Sequence, residues 1–275
     1  MGPALHSMPH KNSHFKDRVA IVTGAGSGIG KAIALDFLKS GARVAGVGRR
    51  AATAKSLCDF REYGDPFLWV RADVSQESQV CRTVREVLKR FGQVDFLVNN
   101  AAARGPTTPV ASLRTRDWHK VLETNLTGAF LCARECVKTM VPRQQGRIIN
   151  ISSTAGRVAY PFRASYAASK WGLIGLTLTL AQEVGPYNIL VNAVCPGPVE
   201  GAAIEEVIDA RAQALGIPVS KVREQFVRSA ALGRMVTPGD VSDMVLFLCS
   251  DGARNITGQA IDVSAGFGLT QRLQR

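Results

Sequence analysis

The chain has 275 residues, 46% of them hydrophobic, with 34 basic against 22 acidic residues and a formal net charge of +12. That length suits one large core and is too short for two enzyme domains with linkers. The basic residues are scattered and never interleaved with aromatics, so a nucleic-acid groove is not expected.

Residues 1–15 read as a disordered leader ahead of a single domain over 16–275. The first 14 carry no apolar core region of a secretory signal, and Met8 offers an alternative start. From Arg18 the pattern is regular. An apolar strand over 19–22 runs into a glycine cluster, and helical spacing over 32–38 ends at Gly41, placed as a C-terminal cap. A second strand is expected over 43–47, a helix over 51–63 and a third strand over 67–70. An amphipathic helix over 79–91 precedes a fourth strand over 94–98. One long helical stretch covers 118–140, a fifth strand 147–151, another long helix 164–184, a sixth strand 189–194 and a seventh 260–263.

Strands separated by helices of this length predict an α/β fold: a doubly wound parallel sheet of seven strands, wound in the Rossmann manner. The stretch 200–232 interrupts the alternation with two helical pieces and is the candidate for a substrate-covering lid. No run approaches about 18 uninterrupted apolar residues, so no membrane span is expected. Cys132 and Cys136 have helical spacing, but no partner set completes a zinc site. The six cysteines read as buried thiols of a reducing compartment, hence a cytoplasmic protein without a metal.

Ligands of such sheets sit at the carboxyl ends of the strands. There the sequence gathers its glycines and polar residues. The segment 23–30 (TGAGSGIG) lies between first strand and first helix, where Gly24, Gly28 and Gly30 would let a pyrophosphate approach the free N–H groups of the helix. At the end of the second strand, an acid would bind a ribose hydroxyl and a base a 2′-phosphate. The sequence has Arg49 and Arg50, so NADP(H) is favoured over NAD(H).

Tyr166 and Lys170 stand four apart, on one face of the long helix. A lysine ammonium held near a phenol favours the phenolate and makes it a usable acid/base near neutral pH. Ser153 ends the fifth strand, where its hydroxyl can hold a substrate oxygen. A nucleophilic serine is the rival reading, but no histidine is placed to serve it.

The set 23–30, Asp73-Val74, Asn99-Asn100-Ala101, Asn125, Ser153, Tyr166, Lys170 and Pro196-Gly197 resembles the short-chain dehydrogenase/reductase family, over about 16–268. The resemblance implies an NAD(P)-dependent oxidoreductase interconverting a secondary alcohol and a ketone. It implies Tyr166 as acid/base, Lys170 lowering its pKa and gripping the nicotinamide ribose, Ser153 orienting the substrate oxygen, and Asn125 organising a relay water. It further implies cofactor contacts from Ser27 and Ile29 in the glycine loop, Asp73 and Val74 at the adenine, Asn99 and Ala101 at the adenosine side, and Pro196, Gly197 and Val199 near the carboxamide. Bridging of backbone at a helix kink is the other reading of Asn125, and a helix cap that of Asp73. Two departures stand out: Ala102 replaces the usual glycine, and Gly201 the usual threonine after Pro-Gly, so altered lid contacts are expected.

Residues expected to face the substrate are Ala103, Arg104, 157–162 and the lid. Arg104, Arg157 and Arg163 suggest an anionic group on a small alcohol or ketone, solvent or a neighbouring subunit being their other destination. A non-catalytic dinucleotide sensor or scaffold on the same fold is the rival class, but it would typically have lost Tyr166 or Lys170. A nucleotide-sugar epimerase or dehydratase would be expected to carry a longer C-terminal substrate domain. The family likeness implies a homo-oligomer, tetramer or dimer, packed through 173–184, 241–248 and 260–263.

Overall fold

Seven apolar segments form strands: β1 (Val19–Thr23), β2 (Arg43–Gly48), β3 (Phe67–Arg71), β4 (Phe96–Asn99), β5 (Gly146–Ile151), β6 (Ile189–Pro196) and β7 (Ala260–Val263). The computed structural model describes residues 14–50 and 54–268. Its strands pair in the order β3-β2-β1-β4-β5-β6-β7, all in parallel. The chain winds outward from β1 and restarts on its other side at β4. That reversal opens a crevice at the carboxyl ends of β1 and β4.

Helices cover both faces: α1 (Gly28–Lys39), α2 (Ala54–Arg61), α3 (Glu77–Phe91), α4 (Thr115–Leu122), α5 (Gly128–Met140), α6 (Ala164–Val184), α7 (Ala202–Leu215), α8 (Val219–Arg228) and α9 (Pro238–Cys249). Successive residues of β1 feed opposite layers, as the two-residue period of a strand requires. Val19 and Ile21 pack with Val80, Val84 and Val87 of α3 and Leu131 and Cys136 of α5. Ala20 and Val22 pack with Ile33 and Phe37 of α1 and Val241 and Val245 of α9. Helices α7 and α8, in the stretch expected to cover the substrate, have a small core of their own around Ile208, Val222 and Phe226. The neck of this stretch is closed where Val199 bridges Val236 in parallel.

Three expectations shift. Phe15 is buried, with its ring 5.3 Å from Phe37 and 5.2 Å from Phe96, so it belongs to the folded core and not to the leader expected over 1–15. The helix expected over 51–63 is Ala54–Arg61, and residues 51–53 lie outside those described. The rest of the leader, 1–13, also lies outside them. The stretch 118–140 begins at Thr115 and is divided by a π turn, Glu123–Thr127.

Cys132, Cys136, Cys195 and Cys249 are buried, but Cys58 is exposed and Cys81 half-buried, so the expectation of six buried thiols fails at these two; burial pushes the Cys132 thiol up to about 12. Among the described residues no helix is long and apolar enough to cross a membrane, and no His/Cys/Asp/Glu group is arranged to hold a metal ion.

Candidate active site

The glycine loop is shaped by Asn100. Its Nδ2 donates to the carbonyls of Thr23 (2.9 Å) and Gly24 (3.3 Å), while Thr23 Oγ1 accepts from the backbone N–H groups of Asn100 (2.9 Å) and Ala101 (3.0 Å). These bonds fold the end of β4 over the end of β1. A Cβ at Gly30 would stand 2.3 Å from Asn100 Nδ2 and 2.4 Å from the Gly24 carbonyl, so only glycine fits there. At Gly28 the opposite holds: φ is +54° and a Cβ would meet nothing within 4 Å. Ser27 caps α1 without a side-chain hydrogen bond, and the first turn has no acidic residue. The start of α1 therefore presents free N–H groups to open space with its dipole uncompensated, which fits the pyrophosphate of a dinucleotide. Ile29 sits in this first turn and packs against the α1–α9 layer.

The flanks of the crevice carry the remaining cofactor candidates. Arg49 and Arg50 are exposed at the end of β2, and the Arg49 carbonyl accepts from Arg71 Nε at 3.2 Å. Arg71, at the end of β3, makes a third cation there. Sequence reading missed it, although it is the register partner of Gly48.

Asp73 does not cap a helix. Its Oδ1 accepts from the N–H (3.0 Å) and hydroxyl (2.8 Å) of Ser75, and α3 starts from Gln76 instead. Val74 is buried beneath α5, where a Cβ on Gly128 would meet its Cγ2 at 2.8 Å. Asn99 turns its side chain inward: Nδ2 donates to Ala129 O (3.2 Å) and Asn150 Oδ1 (2.9 Å), which leaves its backbone for the crevice. Across the sheet, Pro196 ends β6, and Gly197 lies so close to Ser264 that a Cβ would be 2.9 Å from its Cα. Val199 follows at the neck before α7. Gly201 opens α7 with φ +127°, a conformation a threonine would not hold without strain, and this accounts for the family residue it replaces.

The reacting end is built where β5 meets α6. Ser153 follows β5 and accepts from Ala155 N–H at 3.1 Å, and its hydroxyl is close enough to the Tyr166 phenol to favour its ionised form. Burial pushes that phenol above its ordinary range, while Ser153 and the charges of Arg163 and Arg104 pull it down. Lys170 is 3% exposed, and its ammonium donates to the Ile151 carbonyl at 2.7 Å. Burial pushes Lys170 down to about 8. The sequence expectation paired Lys170 with the phenol. In the structure its nitrogen is bound to β5 and lies 5.6 Å from the Tyr166 ring centroid, and Arg163 and Arg104 add further positive charge near the phenol. Ser152 fixes the helix above by donating to Lys170 O at 2.9 Å, and Gly156 admits this contact, since a Cβ there would be 2.8 Å from the Lys170 carbonyl carbon.

Asn125 lies in the π turn and is 2% exposed. Its Oδ1 accepts from Ala103 N–H (2.7 Å), and its Nδ2 donates to Ala103 O (3.1 Å) and Ser169 Oγ (3.0 Å). Ser169 in turn donates to Tyr166 O at 2.7 Å. The side chain thus bridges backbone at a helix irregularity, as one of its two readings expects, and ties that irregularity to the helix of Tyr166 and Lys170. π turns often mark functional sites, because they displace backbone groups from the regular ladder.

The three arginines assigned to an anionic substrate have internal partners. Arg157 donates to Ala260 O at 2.5 Å and pairs with Asp262 at 3.7 Å, so it faces β7 and not the crevice. Arg104 pairs with Glu206 of α7 at 2.5 Å. Arg163 is buried, donates to Arg104 O at 2.7 Å and lies 5.1 Å over the Tyr166 ring. A cavity of about 250 Å³ opens at the opposite edge of the sheet, between Phe15, Arg147 and Ser250, and contains none of these groups.

The family model described as enoyl-(acyl carrier protein) reductase matches residues 24–268. A short-chain dehydrogenase/reductase of Armillaria gallica is 38% identical over 253 residues, 90% of this chain and 95% of that protein. The 3-oxoacyl-(acyl-carrier-protein) reductase of Aquifex aeolicus is 34% identical over 253 residues, 90% of this chain and 96% of its own. Among solved structures, NAD+-bound xylitol dehydrogenase superposes with a TM-score of 0.88 at 34% identity, covering 92% of this chain and 99% of that one. An actinorhodin polyketide ketoreductase with NADPH gives a TM-score of 0.87 at 36% identity, covering 94% and 99%. With a glycine loop shaped for a dinucleotide and a tyrosine beside a serine and a buried lysine, the chain belongs to the short-chain dehydrogenase/reductase family of NAD(P)-dependent oxidoreductases.

Proposed function

We propose that the protein reduces a ketone to a secondary alcohol, and oxidises the alcohol in reverse, with Tyr166 as acid/base. The observation that carries this reading is the convergence of three side chains at the carboxyl edge of the sheet: Ser153 acts on the Tyr166 phenol, and Lys170 Nζ, one helical turn on, lies 5.6 Å from the Tyr166 ring centroid. Held by these residues, a nicotinamide dinucleotide would supply or accept the hydride. In the reducing direction Tyr166 Oη gives its proton to the substrate oxygen as charge develops there, and Ser153 donates a hydrogen bond to the same oxygen. Lys170, held by Ile151, would hold the nicotinamide ribose and serve as the next proton carrier. Asn125 is a positioning residue that keeps Ala103 and Ser169 in place around them. Gly24, Ser27, Gly28, Ile29 and Gly30 would hold the pyrophosphate, Asp73, Val74, Asn99 and Ala101 the adenosine, and Pro196, Gly197 and Val199 the carboxamide.

Arg49, reinforced by Arg71, supports a preference for NADP(H). An anionic substrate loses its support, because Arg104, Arg157 and Arg163 are engaged within the fold. The named relatives include reductases of 3-oxoacyl thioesters, so a 3-oxoacyl thioester is the first substrate to test. A homo-oligomer is supported by exposed Trp171 (53%) and Leu178 (48%), seven apart on α6, and Phe130 (43%) on α5, rather than by Leu173 and Val184, which are buried in their own chain. The buried free thiols of Cys132, Cys136, Cys195 and Cys249 support a cytoplasmic setting.

The test is a panel of 3-oxoacyl thioesters, enoyl thioesters, polyols and simple ketones with NADPH and NADH, for the parent, Tyr166→Phe and Arg49→Asp. Carbonyl turnover that vanishes in Tyr166→Phe is expected. Turnover confined to enoyl thioesters, or unchanged in Tyr166→Phe, rejects the mechanism. An NADPH preference that survives Arg49→Asp rejects the cofactor assignment.

A further inference from the structure

Arg163 breaks three local rules at once. It is the residue preceding α6 and stands in the N-cap position without making a cap hydrogen bond, where Ser, Thr, Asp or Asn would be favoured. It sets a cation at the positive end of a 21-residue helix, where the dipole disfavours it. It is also 5% exposed with Nε unpartnered. The groups that face it are Tyr166, Tyr160 and the like-charged Arg104, with no carboxylate among them. A buried cation without a counterion is costly, and such local costs persist where a site needs them.

Its surroundings hold it over one group. Nη2 donates to Arg104 O at 2.7 Å, and the guanidinium carbon lies 5.1 Å from the Tyr166 ring centroid. The loop that supplies this carbonyl comes close to α6 because Gly105 (φ +68°) lacks a side chain; a Cβ there would be 2.8 Å from Val121 and 3.2 Å from Ser165 Oγ. The Phe162 carbonyl accepts from Thr108 N–H at 2.8 Å and locks the two loops together.

We propose that Arg163 is a positioning residue for Tyr166, a fixed buried cation whose counterion is the tyrosine phenolate. The proposal rests on Tyr166 being the acid/base. When the phenol loses its proton, Arg163 gains the partner it otherwise lacks, so the deprotonated state is stabilised relative to the neutral one. The other groups facing Tyr166 are Lys170 from its own helix, Arg104 from the loop after β4, Ser153 from the end of β5 and Tyr160 from the loop that follows it. Lys170 titrates near 8 and is bound to Ile151, so its charge fades in the range where the phenolate is needed. A guanidinium keeps its charge there. The two cations thus have separate roles, since Lys170 exchanges protons and Arg163 does not.

Four proteins are compared: the parent, Arg163→Met, Arg163→Lys and Tyr166→Phe. Phenol ionisation is followed in the apo-protein by near-ultraviolet difference titration, the Tyr166 component being the one absent in Tyr166→Phe. The pH profile of alcohol oxidation is recorded alongside it. Arg163→Met is expected to move the phenol titration and the acid limb of the oxidation profile upward by about one pH unit, the scale for one nearby charge. Arg163→Lys is expected to restore about half of that shift, since it keeps the charge without the planar fork. A titration and an acid limb unmoved in both variants overturn the proposal. If Arg163→Met does not fold, the Arg163→Lys titration decides alone: an upward shift smaller than one pH unit supports the proposal, and an unmoved or downward-shifted titration overturns it. Retained turnover in Tyr166→Phe signals failure of the underlying mechanism instead, whatever Arg163 does.

Discussion

Lys170 Nζ and the Ile151 carbonyl lie 2.7 Å apart, and this bond anchors an otherwise unpaired ammonium beneath the catalytic helix. It fixes the lysine to the last residue of β5, beside the serine and below the tyrosine, so one strand end positions all three groups. The arrangement holds a charge out of water for the sake of the reaction, and the fold carries the cost.

That cost is measurable. Burial lowers Lys170 from 10.5 to about 8, so the folded protein binds this proton more weakly than the unfolded chain does. The destabilisation is full below about pH 8 and fades as pH rises through 8 to 10.5. Lys170→Met removes it and leaves the Ile151 carbonyl unbonded, an offset of about 1 kcal/mol. The apo-variant is expected to gain about 1–2 kcal/mol near neutral pH, to lose that gain toward pH 10, and to be inactive. Urea unfolding across that range checks it, and a stability difference constant with pH would rule out the linkage.

Gly30→Ala forces a methyl against Asn100 Nδ2 and the Gly24 carbonyl. Backbone cannot yield as a flexible side chain does, so the loop must open and its N–H groups lose their aim. Dinucleotide affinity is expected to fall by at least about tenfold, or ~1.4 kcal/mol, while the sheet remains folded. Gly28→Ala meets no atoms and costs only its positive φ, about 1 kcal/mol. Calorimetric titration of both variants with NADPH separates them, and equal affinities would contradict the steric account.

Much of this was legible in the chain. The strand positions, the glycine loop, the Tyr166–Lys170 face and the two helical pieces over 200–232 follow from local periodicity, because each repeats a short-range pattern that burial enforces. What was not legible depends on contacts between distant residues. Asn125 and Ser169 are 44 apart in sequence, and Arg71 joins Arg49 only through sheet register. Arg157 and Arg163 looked equivalent, yet the turn at 154–156 and the positive φ of Phe162 send one to β7 and the other over Tyr166. The π turn left no mark in the sequence that a continuous helix lacks.

Asn125→Ala removes three hydrogen bonds and leaves the Ala103 N–H without its acceptor, at an expected cost of about 2–3 kcal/mol. Since Ser169 connects this bridge to Tyr166, turnover should fall more than cofactor affinity does. Parallel measurement of kcat, KM and dinucleotide Kd is the check. A loss confined to KM would place Asn125 in substrate binding rather than in positioning the helix.

Arg157 offers the sharpest test of where charge matters. Its guanidinium bonds the first carbonyl of β7 and approaches Asp262, two residues along that strand. β7 is the last strand of the sheet and pairs only with β6, so a side chain holding its backbone stiffens the edge. Both partners are more than a third exposed, and the pair contributes little by charge alone. Arg157→Ala should therefore destabilise by about 0.5–1.5 kcal/mol, mostly through the lost bond to Ala260. Because the side chain points away from Ser153 and Tyr166, kcat/KM for an anionic ketone and for its neutral ester should change by the same factor. A selective loss on the anion would mean that Arg157 swings from β7 to the substrate during turnover, and would reinstate it as a recognition residue.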